Sequence, residues 1–137
     1  DPSGSGPRTT QEAPPNMPIK SILVVDESPT ERYFLNEILL EPGFTVTTAD
    51  SADDALSKLE ASLPDLILMD VVMPGMNGFQ LTRQLSKDPA TESIPIIMCT
   101  SKSQQTDRIW GLRQGARDYV VKPVKADDLL EKIAALG

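Results

Sequence analysis

From Ile19 onward the chain alternates short apolar runs with longer stretches at helical spacing. Lys20–Val25 is an apolar run that predicts a strand. Pro29–Leu40 repeats apolar residues three and four apart, which puts Phe34, Leu35, Ile38 and Leu39 on one helical face. Ser28-Pro29-Thr30-Glu31 reads as a capping box with proline at the first helical position, and Pro42-Gly43 stops the helix. The same reading predicts a strand over Phe44–Thr48, then a helix over Ala52–Ser62 with Ala55, Leu56 and Leu59 inward. A third strand follows over Asp65–Met69, and a third helix over Gly78–Lys87, capped by Asn77, with Phe79, Leu81 and Leu85 apolar. Pro95–Cys99 and Arg117–Val121 are the last two strands. A helix over Gln104–Gln114 ends at Gly115, and a final one spans Ala126–Leu136.

Five βα units in a row imply an α/β fold: a doubly wound, five-stranded parallel sheet with right-handed crossovers. The near-continuous apolar runs are those expected of strands covered by helices on both faces. No internal repeat or heptad array interrupts the pattern.

Composition narrows the function classes. The 137 residues suit one domain, read as 17–137. Residues 1–16, rich in Pro, Ser, Gly and Thr, read as a disordered tail, a linker or an appended remnant. The net charge of −7 argues against nucleic-acid binding, which needs basic patches. No apolar stretch is long enough to enter a membrane, and a cytoplasmic location is expected. There is no histidine, so His-based triads and phosphohistidine chemistry within this chain are ruled out. The single cysteine, Cys99, lies inside an apolar run and reads as a buried small hydrophobe.

The chemistry sits where the strands end. Asp26-Glu27 follows the first strand, Asp70 the third, Thr100-Ser101 the fourth and Lys122-Pro123 the fifth. In an open parallel sheet the ligand crevice lies at the carboxyl ends of the strands, so these groups converge on one rim. Three acids repel one another, and a divalent cation such as Mg²⁺ relieves that cost. A metal and Lys122 together hold phosphate oxygens, which leaves Asp70 as an oxygen nucleophile. Met73-Pro74-Gly75 is expected to turn the chain away and leave Asp70 exposed. Singly, each residue has a plainer explanation: an Asp after a strand is often a helix cap, Thr100 a loop hydroxyl, Lys122 a solvated lysine. Their joint placement is what singles them out.

VVDESPTE, LMDVVMPGMNG, MCTS and YVVKP resemble the receiver domain of two-component response regulators, and the match covers Ile19 to Gly137. The start VDESPTE and the stretch QQTDRIWGLRQGARDYVVKP look like the PilH-type regulators of twitching motility. The resemblance implies a flavodoxin-like (βα)₅ fold with strand order 2-1-3-4-5. It makes Asp70 the phosphoacceptor, Asp26 and Glu27 the acidic metal pair, and the backbone carbonyl of Val72 a further Mg²⁺ ligand. Thr100 becomes the switch hydroxyl, Tyr119 the aromatic switch, and Lys122 the phosphoryl-pairing lysine, with a Lys122-Pro123 bond that is often cis. Glu27 departs from the usual Asp, and its extra methylene moves the carboxylate, which implies either a weaker metal affinity or a slightly displaced ion. Val72, two residues beyond Asp70, has no group to orient an attacking water, so slow dephosphorylation is expected. Trp110 is either a core residue or, with Tyr119, part of a partner face.

The function so implied is phosphoryl transfer from a histidine kinase or phosphotransfer domain onto Asp70 with Mg²⁺. A face made of the helix over 104–114, the fifth strand and the last helix then switches for a downstream protein, in pilus or chemosensory signalling. Such a chain is a signalling phosphoacceptor more than a metabolic enzyme, a monomer or weak dimer. If Gly137 closes the chain, its output is protein contact. A pseudo-receiver that works unphosphorylated is the alternative, which Glu27 keeps open. A phosphohydrolase wants a second acid where Val72 stands, and a flavin site would be repelled by Asp26-Glu27.

Overall fold

A computed structural model of the protein describes residues 19–71, 76–100, 112–113 and 115–136. The elements in chain order are β1 (Ser21–Val25), α1 (Pro29–Leu40), β2 (Thr45–Ala49), α2 (Ala52–Ala61), β3 (Leu66–Asp70), α3 (Gly78–Lys87), β4 (Ile96–Thr100), β5 (Asp118–Val121) and α4 (Ala126–Leu136). The tail over 1–16 and the predicted helix over 104–114 lie outside the described residues, except for Leu112 and Arg113, which are helical.

All strand pairs are parallel, and the sheet runs β2-β1-β3-β4-β5, the doubly wound order expected. Alternation of side chains along the central strands feeds two cores. On one face Leu23, Val25, Ile67, Met69, Ile96 and Met98 pack with residues of α2 and α3. On the other, Ile22, Val24, Leu66, Leu68, Ile97 and Cys99 pack with residues of α1 and α4. β3 and β4 are buried throughout, because helices cover both of their faces. β2 sits at an edge, and its alternating burial reflects one half-covered face.

Several local expectations shift. Phe34 is exposed, not inward; the buried arc of α1 is set by Leu35 and Leu39, and Phe34 points about 100° away from Leu35. The capping box of α1 is only half formed. Ser28 Oγ accepts from the Glu31 N–H, but the Ser28 N–H donates to Asp26 Oδ1 at 2.9 Å. The return half of the box has lost its donor, and Glu31 Oε2 is buried without a hydrogen-bond partner. At α3 both halves close, between Asn77 and Gln80. Gly43 ends the α1 turn at φ +107°, a conformation that costs other residues strain.

Candidate functional site

Strand register brings the site together. Val25 is level with Met69 across β1 and β3, so the next residues, Asp26 and Asp70, emerge side by side. Thr100 is level with Val121 across β4 and β5, and Lys122 follows one step later. Its N–H donates to the Thr100 carbonyl at 2.6 Å. The Lys122 side chain then turns inward. Its Nζ lies 3.0 Å from Asp26 Oδ2 and 3.0 Å from Asp70 Oδ1.

Both acids are buried: Asp26 is 1% and Asp70 6% exposed. The expectation of an exposed Asp70 is thus corrected. It is the last residue of β3 rather than the first of a loop, and Lys122 and the start of α3 close over it. Burial alone would push the Lys122 ammonium down. The hydrogen bonds and charges of Asp70 and Asp26 outweigh that and hold its pKa above the ordinary value. One ammonium between two carboxylates leaves net negative charge in a poorly solvated place, and that attracts a further cation.

Asp26 is fixed from several sides. Its N–H donates to the Ala49 carbonyl at 3.0 Å, its Oδ1 accepts from Ser28, and Arg32 Nη1 donates to its carbonyl oxygen at 2.7 Å. Asp70 is fixed through its backbone. The Gly78 N–H donates to the Val71 carbonyl at 2.9 Å, and a Cβ added at Gly78 would meet the Asp70 carbonyl oxygen at 2.0 Å. The first turn of α3 therefore rests directly on the backbone of Asp70. The site roles of Arg32 and Gly78 went unread in the sequence. A glycine at the first position of a helix was the available signal, since it costs helix propensity without an evident reason.

Glu27 is exposed at the rim, and among the described residues no three acids close into a ready cation cage. The donor set still fits Mg²⁺, which takes one or two carboxylates and keeps several waters. Asp26 and Asp70 offer hard oxygens, with Glu27 within the same loop. Thr100 is the buried last residue of β4, and Tyr119 lies half-buried on β5. Burial raises the Cys99 thiol to about 12, which keeps it protonated and inert. The Lys122-Pro123 peptide is cis. Val72, the Met73-Pro74-Gly75 turn and Trp110 lie outside the described residues.

Residues 22–134 match the response regulator receiver domain model. The chain is 51% identical to protein PilH of Pseudomonas aeruginosa, over 84% of this chain and 95% of that protein. It is 35% identical to the phosphate regulon transcriptional regulatory protein PhoB of Escherichia coli over 85% of this chain, but spans only 51% of PhoB. Among solved structures, a response regulator from Chloroflexus aurantiacus superposes with a TM-score of 0.83 at 31% identity, covering 87% of this chain and 97% of that one. Chemotaxis response regulator CheY4 of Vibrio cholerae gives 0.81 at 28%, covering 87% and 99%.

Proposed function

Because this chain belongs to the response regulator receiver family of two-component signalling and is PilH-like, we propose that it is a phosphoacceptor switch working through Asp70. The observation that carries this reading is the Lys122 ammonium held 3.0 Å from both Asp26 and Asp70 at the carboxyl rim of the sheet. An Asp70 carboxylate oxygen attacks the phosphorus of a phosphohistidine on a kinase or phosphotransfer domain. The new O–P bond forms as the P–N bond breaks, and the departing imidazole takes up a proton. Lys122 offers its ammonium to the phosphoryl oxygens. Asp26, Glu27, Asp70 and the Val72 carbonyl would hold Mg²⁺, which when bound neutralises charge on the phosphoryl group.

The consequence is a change at Thr100 and Tyr119, one residue at the buried end of β4 and the other on the neighbouring strand. A charge event at Asp70 biases these two side chains and reshapes the partner face beside them, in which Trp110 takes part. The chain is then a signalling component of the cytoplasm, acting by protein contact in pilus or chemosensory control, and not a metabolic enzyme. Its relation to PilH favours that pathway.

Intact-protein mass spectrometry with acetyl phosphate and Mg²⁺, in parallel with Asp70→Asn, tests the reading. One phosphoryl adduct that needs the metal and is lost in the variant supports it. A folded wild-type protein without an adduct refutes it and favours a receiver that signals unphosphorylated.

A further inference from the structure

Tyr119 and Val120 are consecutive in β5 and so face opposite sides of the sheet. Val120 packs in the core shared with Leu129 and Ile133 of α4, while Tyr119 packs against the core on the α2–α3 side. The apolar stripe of α4 thus serves the face that Tyr119 does not occupy. One long side chain of α4 nonetheless reaches it. β5 is the last strand of the sheet, and at that edge Lys132 Nζ comes to 5.5 Å from the centre of the Tyr119 ring.

The ammonium is not loose there. It lies 3.6 Å from Asp118 Oδ1 and 4.0 Å from Asp128 Oδ1, with a quarter of the side chain exposed. Asp118 Oδ1 also accepts the Tyr119 N–H at 2.8 Å. One carboxylate oxygen therefore ties the Tyr119 backbone to the same cation that sits over its ring. A cation over an aromatic face is attracted by the ring quadrupole, and an ammonium pinned by two acids loses little freedom in staying there.

We propose that Lys132 is the positioning residue of Tyr119: anchored by Asp118 and Asp128, it holds the ring in the pose that accompanies the Lys122 bridge between Asp26 and Asp70, and so restrains phosphorylation of Asp70. This rests on the phosphoacceptor reading above. The contact crosses the sheet edge, so it couples α4 to the ring without any repacking of either core. An acidic group of a partner that drew Lys132 away would release the ring by the same route.

Fluorine NMR of protein labelled with 3-fluorotyrosine reads the ring directly. The chain has two tyrosines, so Tyr33→Phe assigns the Tyr119 signal. Lys132→Met keeps the apolar stem and removes the charge. Lys132→Arg keeps a cation that also stacks on aromatic rings. In unmodified protein, Lys132→Met is expected to move the Tyr119 signal and lower the population of the pose seen here relative to any other about two- to five-fold, and Lys132→Arg to leave it near wild type. Labelling of Asp70 by acetyl phosphate should quicken in Lys132→Met by the same factor. An unmoved Tyr119 signal in Lys132→Met, or equal shifts in both variants, overturns the contact. A moved signal with an unchanged labelling rate overturns the restraint. If wild-type protein takes up no phosphoryl group, the phosphoacceptor reading fails instead, and the fluorine comparison still decides whether Lys132 holds the ring.

Discussion

Replacing Gly78 by alanine tests whether α3 positions the nucleophile. The added Cβ would lie 2.0 Å from the Asp70 carbonyl oxygen, 2.9 Å from its carbon and 3.0 Å from Val71 Cα. All three atoms are backbone, so no side chain can swing aside. Ordinary contact, at 3.4 Å or more, is regained only if the helix start and the end of β3 separate by about 1.4 Å. Such overpacking costs about 1–3 kcal/mol of stability. The greater effect falls on chemistry, since a displacement near 1 Å at a reacting group can cost about 10²-fold in rate. The comparison variant is Asn77→Ala, which removes the helix cap beside Gly78 without adding a clash and loses about 1 kcal/mol. Urea unfolding gives the stability of each variant, and mass-spectrometric labelling with acetyl phosphate gives the rate. Gly78→Ala is expected to lose at least ten times more labelling rate than Asn77→Ala at comparable stability. Equal rates in the two variants would refute the positioning role and reduce Gly78 to a packing requirement.

Four further outcomes follow, three from the geometry and the last from the sequence. Lys122→Met leaves Asp26 and Asp70 buried without their shared cation, and metal-free urea unfolding at pH 7 should show a loss of about 3–5 kcal/mol, partly restored by Mg²⁺. Because the folded pKa of Lys122 lies above the ordinary 10.5, its contribution is whole at neutral pH and fades only as pH climbs past that value. Glu31→Leu removes a buried, unpartnered carboxylate oxygen and should raise stability by about 1 kcal/mol in the same assay, whereas a loss would mean that Glu31 has a partner. Asp65 Oδ2 accepts the Lys20 and Ser21 N–H groups at 2.9 and 3.1 Å; burial opposes ionisation, but these bonds prevail and hold its pKa below the ordinary 3.8. Its stabilisation is present above that value and lost as pH falls through the folded pKa, so the stability gap between wild type and Asp65→Asn should narrow from pH 7 to pH 3. If slow dephosphorylation is the rule for this chain, Val72→Asn should shorten the life of phosphorylated Asp70 by giving residue 72 a group that orients water, and an unchanged or slower decay would refute that expectation.

What the sequence made legible was carried by local patterns. The apolar runs located β1, β3 and β4 to within one residue, because strands covered on both sides must be apolar throughout. The rule that ligands gather at carboxyl strand ends then brought Asp26, Asp70, Thr100 and Lys122 to one rim. Competition between neighbours was harder to read. The Ser28-to-Glu31 box looks complete in sequence, but Asp26, two residues upstream, claims the same N–H. Phe34 fits a helical apolar face by spacing, yet the buried arc of α1 is centred on Leu35 and Leu39, with Ile38 packed at its margin and Phe34 beyond it. Contacts between distant segments left no pattern at all. A glycine at the first position of α3 hints that something lies close to Gly78, but not that it is the Asp70 carbonyl.

The pairing of Lys122 with two acids at once, 96 and 52 residues away, is the contact that gives the rim its chemistry. A strand as apolar as Leu66–Met69 can end in Asp70 because Lys122, one residue past β5, supplies a partner charge. That shared pairing holds only while Asp70 is a simple carboxylate. A phosphoryl group on Asp70 adds negative charge and more acceptor oxygens, and one ammonium cannot then serve it and Asp26 equally. If Lys122 follows the phosphoryl oxygens, Asp26 is left buried without its cation, a state expensive enough to require a metal ion or a rearrangement. The arrangement, which carries one negative charge in excess at rest, is thus strained further by the reaction proposed for it. Lys122 also sits one residue past Val121, beside Thr100 and three residues from Tyr119. Relief of that strain is therefore felt first by the residues proposed to switch. Asp26→Asn removes the acid that would be stranded, so at an equal extent of Asp70 labelling, which corrects for its place among the proposed metal ligands, phosphorylation should shift Tyr119 less than in wild type, and an undiminished shift would show that the stranded charge is not what drives the change.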